Sequence, residues 1–115
     1  MSEACLFCRI VAGEIPADIV AEGENWLAFR DIEPQAPTHV LVIPRRHIAT
    51  LNDLDESDHD LIGELVGAAR EIAREEGVAR SGYRIALNCN ADGGQSVFHI
   101  HLHLLGGRPM KWPPG

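Results

Sequence analysis

A chain of 115 residues has the length of one compact domain, and residues 1–115 read as a single domain. Hydrophobic residues at 45% and charged residues at 23% exclude disordered, collagen-like and coiled-coil chains. Ten Lys and Arg against 17 Asp and Glu give a net charge of −7, which excludes a large nucleic-acid footprint but leaves open a small phosphate-bearing ligand held by one or two local groups. No run approaches the ~20 apolar residues of a membrane span. The N-terminus also lacks the basic-then-apolar pattern of a secretory signal, so the expected location is cytoplasmic, away from membranes.

In chain order, Cys5 to Ala12 predicts a short helix stopped by Gly13 and Pro16. Ile19–Glu22 and Trp26–Arg30 predict two strands joined by the turn Gly23-Glu24-Asn25. Pro34 and Pro37 then interrupt the chain, and the β-branched run from His39 to Ile43 predicts a buried strand ended by Pro44. From Asp55 to about Glu76, apolar residues recur at helical spacing (Leu61, Ile62, Leu65, Val66, Ala69, Ile72, Ala73), with Asp55 placed as a cap and Gly77 as a stop. Tyr83–Cys89 and Val97–Leu105 predict the last two strands, separated by the polar segment from Asn90 to Ser96. The expected fold is α+β: about five strands in an antiparallel sheet, one long helix and one short one.

The candidate chemistry lies in His99-Ile-His-Leu-His-Leu-Leu105. On a strand, His99, His101 and His103 share one face and Phe98, Ile100, Leu102 and Leu104 the other. One such histidine is usually structural, but three crowded imidazoles need partners that a purely structural strand rarely supplies, so the trio points to function. At ~3.3 Å per residue, His99 and His103 stand ~13 Å apart, too far for both to lie within ~2.1 Å of one metal ion. At least one imidazole therefore serves as nucleophile, general acid or base, or phosphate donor. Ahead of them, Gly93-Gly94 suits close backbone approach to a ligand, Gln95 and Ser96 offer an amide and a hydroxyl, and Asn88 can reach the same place. The cysteines number three, Cys5, Cys8 and Cys89. In a reducing compartment Cys5-x-x-Cys8 reads as half a metal site or as two ordinary thiols, and Cys89 as a small core residue.

The segment from Asp92 to Gly107 resembles the His-x-His-x-His motif of the histidine triad (HIT) family. The likeness extends through Glu14-Ile-Pro16, Ala28 to Ile32, Pro34 to His39, Val42-Ile-Pro44 with His47, and the tail Trp112-Pro-Pro-Gly115. That tail and the Gly-Gly-Gln-Ser approach resemble the nucleotide-binding Hint branch more than the Fhit or galactose-1-phosphate uridylyltransferase branches. The resemblance implies hydrolysis of purine nucleoside 5'-phosphoramidates through a nucleotidyl-histidine on His101. It implies that His103 and His39 support the reaction, with Ser96 near the leaving amine and Asn88 and Gly94 around the α-phosphate. Asp31 would take the ribose hydroxyls, and Phe7, Ile10, Ile15 and Ile32 would surround the base, although simple packing explains the apolar four equally well. A backbone carbonyl near His99 or Ile100 would hold the Nδ1 proton of His101 and leave Nε2 to attack.

Cys5-Leu-Phe-Cys8 resembles bacterial members and the uridylyltransferases, which implies structural zinc on Cys5, Cys8, His47 and His99; free thiols beside a hydrogen-bonded His99 are the alternative. No cofactor is implied for the chemistry itself. The resemblance also implies a homodimer whose C-terminal tail reaches the partner's site. Two other functions stay open: a nucleotide-binding scaffold with vestigial turnover, and dinucleoside polyphosphate hydrolysis.

Overall fold

The computed structural model describes residues 4–115, in the order α1 (Leu6–Val11), β1 (Ile19–Glu22), β2 (Trp26–Arg30), β3 (Thr38–Pro44), α2 (His59–Glu75), β4 (Tyr83–Leu87) and β5 (Leu102–Gly106). The five strands form one sheet in the order β1-β2-β3-β5-β4, with every neighbouring pair antiparallel. Central β3 is buried at all seven positions, because each of its faces is covered by a different layer.

The period-two alternation sorts these layers. Ala28, Val40, Val42, Leu102 and Leu104 point to one face and pack against Leu65, Ala68, Ala69, Ile72 and Ala73 of α2. Leu27, Phe29, Leu41 and Ile43 point to the other and pack against Cys5, Phe7 and Cys8 of the α1 segment. Leu41 lies opposite His103, and His39 precedes Leu41 by two residues, so both imidazoles fall on the face away from α2. The Arg30 guanidinium grips the Glu76 carboxylate at 2.8 and 2.9 Å, tying the end of α2 to the sheet and holding the Glu76 carboxyl below its ordinary range.

Several boundaries differ from the sequence expectation, each for a local reason. The strand expected over Val97–Leu105 begins only at Leu102. Pro44, the last residue of β3, has no N–H to extend the ladder beyond Val42 and Leu102, and the Ile100 N–H turns instead to the Ile48 carbonyl at 2.8 Å. His99 and His101 therefore precede the strand, and Phe98, expected in the core beside Ile100, is 48% exposed. The long helix starts at His59 rather than Asp55. Asp55 caps a 3-10 turn, Glu56–Asp58, and Asp58 returns its carboxylate to the Asp55 N–H, closing a capping box before α2. Gly77, at φ +77°, stops that helix as expected. Strand β4 ends at Leu87, which leaves Cys89 half-buried in the following loop rather than in the core.

Candidate active site and metal cluster

The three histidines of the motif divide between two sites. The His99 side chain is fully buried and turned toward Cys5, Cys8 and His47. Its Nδ1 lies 3.4 Å from Cys5 Sγ, 3.6 Å from Cys8 Sγ and 3.3 Å from His47 Nδ1, and Cys8 Sγ is 3.3 Å from His47 Nδ1. On the opposite side of the ring, His99 Nε2 donates to the Pro44 carbonyl at 2.8 Å. That bond leaves one lone pair at Nδ1, and one lone pair cannot accept from three groups at once; a shared cation satisfies all four. Burial also lowers the His99 pKa and keeps the ring neutral, as a ligand must be. The cluster can hold a metal ion, and the four residues come from three chain segments that the sheet and α1 bring together.

His101 and His103 open instead onto a cleft of about 740 Å³ on the face away from α2. Phe7, Ile10 and Ile15 line one part of it, and Asp31, His39, Ser96, His101 and His103 line another. Ile32, expected against a base, stands at the rim and is 94% exposed. His101 Nδ1 donates to the His99 carbonyl at 2.8 Å, which leaves Nε2 as the nitrogen with a lone pair. The Phe7 ring packs edge-on against the His101 ring, with centroids 5.1 Å apart, and fixes its plane.

A second chain of hydrogen bonds assigns the other tautomers. The Gln35 backbone N–H donates to His39 Nδ1 at 3.0 Å, so the His39 proton sits on Nε2. His39 Nε2 then donates to His103 Nδ1 at 3.0 Å, with Asp31 Oδ2 3.4 Å away. The remaining His103 proton is thereby placed on Nε2. The same assignment argues against a metal ion on the Asp31, His39 and His103 trio, although their donor atoms lie within 4.8 Å of one another, because His39 Nε2 is a donor and has no lone pair to give. Burial lowers the pKa of His39, and burial followed by repulsion from His101 and His39 pushes that of His103 down to about 4.

This depression links to stability. Between the folded value of about 4 and the ordinary 6.5, the unfolded chain binds the proton that folded His103 refuses, so the fold loses stability as pH falls through that window. At about 1.4 kcal/mol per unit, the loss is on the order of 3 kcal/mol. Urea titrations at pH 7 and pH 4.5 should show a smaller acid loss for His103→Gln than for wild type; equal losses in both would remove His103 as the cause.

The loop before the histidines behaves differently from expectation. Gln95 is buried and offers nothing to a ligand: its Oε1 accepts from the Asn90 N–H at 2.8 Å, and its Nε2 donates to the Ala49 and Val97 carbonyls at 2.8 and 3.1 Å. The Gly94 N–H is also used within the loop, donating to the Ala91 carbonyl. Gly93 is required by contact, since a β-carbon there would stand 2.6 Å from the Cys89 carbonyl oxygen. Asn88 and Gly94, expected around a phosphate, are not among the residues lining the cleft, whereas Ser96 is. Gln95→Leu takes the partner from three part-buried backbone groups and should cost about 1–3 kcal/mol in urea unfolding; a loss below about 0.5 kcal/mol would contradict this pinning role. The Gln35 N–H and Arg108, which holds the carbonyl of the same residue, were not singled out by sequence reading, because a backbone donor has no signature in side-chain letters.

The fold and the divided histidine motif correspond to a known class. The HIT domain profile matches residues 12–110, and the chain belongs to the histidine triad family. It is 49% identical to the purine nucleoside phosphoramidase of Escherichia coli K12 over 110 residues, 96% of this chain and 92% of that protein. It is 50% identical over the full length of both chains to an uncharacterised HIT-like protein of Synechococcus elongatus. The crystal structure of a HIT family hydrolase from Legionella pneumophila superposes with a TM-score of 0.94 at 58% identity, covering 96% of this chain and 99% of that one.

Proposed function

We propose that this protein hydrolyses purine nucleoside 5'-phosphoramidates, such as adenosine phosphoramidate or adenylyl-lysine, to a nucleoside monophosphate and an amine. The observation that carries this reading is the His101 tautomer: Nδ1–H spent on the His99 carbonyl and an unprotonated Nε2 in a residue lining the cleft. In this scheme His101 Nε2 attacks the α-phosphorus, the P–N bond breaks, and the departing amine nitrogen takes a proton from solvent, which the attacking water gives back in the next step. Water then attacks the nucleotidyl-histidine, releasing the monophosphate and restoring the imidazole. His103, with its proton on Nε2, supplies a hydrogen bond to a phosphoryl oxygen or to the departing nitrogen, and His39 keeps that proton in place. Ser96 serves the leaving amine, Asp31 the ribose hydroxyls, and Phe7, Ile10 and Ile15 the base. Asn88 and Gly94 act at one remove, through the loop that carries Ser96.

Zinc is the metal that the cluster suits best. Bonds of ~2.3 Å to sulfur and ~2.05 Å to nitrogen in a tetrahedron give S–N and N–N edges of roughly 3.3 to 3.6 Å. The four contacts in the cluster measure 3.3 to 3.6 Å. Bound there, zinc would crosslink α1 to the segments bearing His47 and His99, and Cys5, Cys8, His47 and His99 would fill all four positions. The protein is proposed to act as a cytoplasmic homodimer, paired through the open edge of β4, where Tyr83 and Ile85 are partly exposed. The tail, with Trp112 86% exposed, would lie near the partner's site. Sedimentation at micromolar concentration tests this assembly, and a monomer would refute it.

The test of function is release of a fluorogenic amine from an adenosine phosphoramidate, run with and without a competing dinucleoside polyphosphate. Turnover that the polyphosphate inhibits without being cleaved supports the phosphoramidase. Cleavage of the polyphosphate in preference transfers the assignment to that substrate class, and binding of both without cleavage leaves a scaffold.

A further inference from the structure

Beyond the residues that touch a substrate, the segment joining β2 to β3 is fastened in a way that bears on the histidine pair. The Gln35 backbone is held on both sides of its Cα, at the N–H of the Pro34–Gln35 peptide and at the carbonyl of the Gln35–Ala36 peptide. Its N–H donates to His39 Nδ1 at 3.0 Å, and its carbonyl accepts from Arg108 Nε at 3.0 Å. Arg108 lies two residues beyond the end of β5, the strand that carries His103, and its Nη1 donates to the Pro109 carbonyl at 3.1 Å. Gly107 approaches Pro37 so closely that a β-carbon would stand 2.8 Å from the proline side chain, so the two segments are in direct contact. The Gln35 side chain also turns back to the Glu33 carbonyl, and the Glu33 N–H to Asp31 Oδ1.

We infer that Arg108 is a positioning residue for the histidine pair: by holding the Gln35 carbonyl, it aims the Gln35 N–H at His39 Nδ1 and so sets which nitrogens of His39 and His103 carry protons. The logic follows from donor counting. A neutral imidazole has one N–H and one lone pair. If the Gln35 N–H points at Nδ1, the His39 proton belongs on Nε2, His103 Nδ1 accepts it, and His103 Nε2 keeps its own. If the Gln35 backbone shifts so that its N–H leaves Nδ1, His39 can carry its proton on Nδ1. His39 Nε2 then becomes an acceptor facing His103 Nδ1, and the pair is satisfied only by moving the His103 proton to Nδ1, which strips Nε2 of the donor. One exposed guanidinium thus bears, through the backbone of one residue, on the donor that the reaction scheme above assigns to His103.

This inference rests on the proposed reaction only for its kinetic consequence; its structural content is read without substrate. The experiment uses full-length protein, wild type, Arg108→Ala and Arg108→Lys, with histidine labelled by ¹⁵N and long-range imidazole correlations recorded at neutral pH. Wild type should show protonated Nε2 on His39 and His103 and protonated Nδ1 on His101. Arg108→Ala should add the opposite tautomer at His39 and His103 while His101 keeps its own, and Arg108→Lys, which can still donate to the carbonyl, should restore the wild-type pattern. With a phosphoramidate substrate, Arg108→Ala should lower kcat roughly fivefold with KM changed by less than about twofold, and Arg108→Lys should recover most of it. An Arg108→Ala spectrum with His39 and His103 in the wild-type tautomers overturns the inference, whatever the activity. A folded wild type with the expected tautomers and no turnover instead refutes the phosphoramidase reading and leaves the clamp standing.

Discussion

His101→Ala is expected to abolish amine release, lowering kcat by at least about a thousandfold, because no other imidazole in the cleft has a lone pair free of a hydrogen bond. His39 gives its Nδ1 lone pair to Gln35, and His103 gives its own to His39. His101→Gln, which refills most of the space against Phe7, should be equally inactive, so that loss of activity is separated from loss of packing. Thermal melts of both variants and their retained binding of adenosine monophosphate complete the test. Activity within tenfold of wild type in either variant would place the nucleophile elsewhere.

The second large effect concerns the buried cluster. Removing the metal ion with a strong chelator, or replacing Cys8 with Ser, should lower the melting temperature by about 15 °C, since a structural tetrahedral site contributes several kcal/mol of folding free energy. Metal analysis should find one equivalent of zinc per chain before treatment. Protein grown with ample zinc, yet holding less than about a tenth of an equivalent and melting unchanged after chelation, would favour the alternative of ordinary thiols. The loss should also reach the cleft, since α1 carries both Cys8 and the Phe7 ring that lies against His101.

Much of this was legible in the letters. The two strands Ile19–Glu22 and Trp26–Arg30 sit where the turn Gly23-Glu24-Asn25 between them placed them. The helix from Asp55 was recognisable by period, but its first turn is 3-10 because Asp55 and Asp58 cap each other, a choice between near-equal local geometries. The proximity of Cys5, Cys8, His47 and His99 followed from family resemblance and could not have come from spacing, since 94 residues separate Cys5 from His99. The same holds for the carbonyl that fixes His101. Alternation put the three histidines on one side correctly, since the Phe7 ring stands 5.9 Å from His99 and 5.1 Å from His101; what it did not show is that the ladder with β3 ends at Leu102, so that His99 joins the cysteines while His101 and His103 face the cleft. Gln95 looked like a ligand because amides often are, and only its three internal partners reveal a pin.

His99 contributes to the two sites through different parts of the same residue, its ring to the cluster and its carbonyl to His101. The two uses are separable. The ring serves the cluster and the Pro44 carbonyl, whereas the backbone carbonyl, on the chemistry proposed above, serves His101 and can be furnished by any amino acid. A lineage that lost Cys5 and Cys8 would be free to drift at the first histidine of its signature without surrendering its chemistry, while the second histidine would have no such freedom.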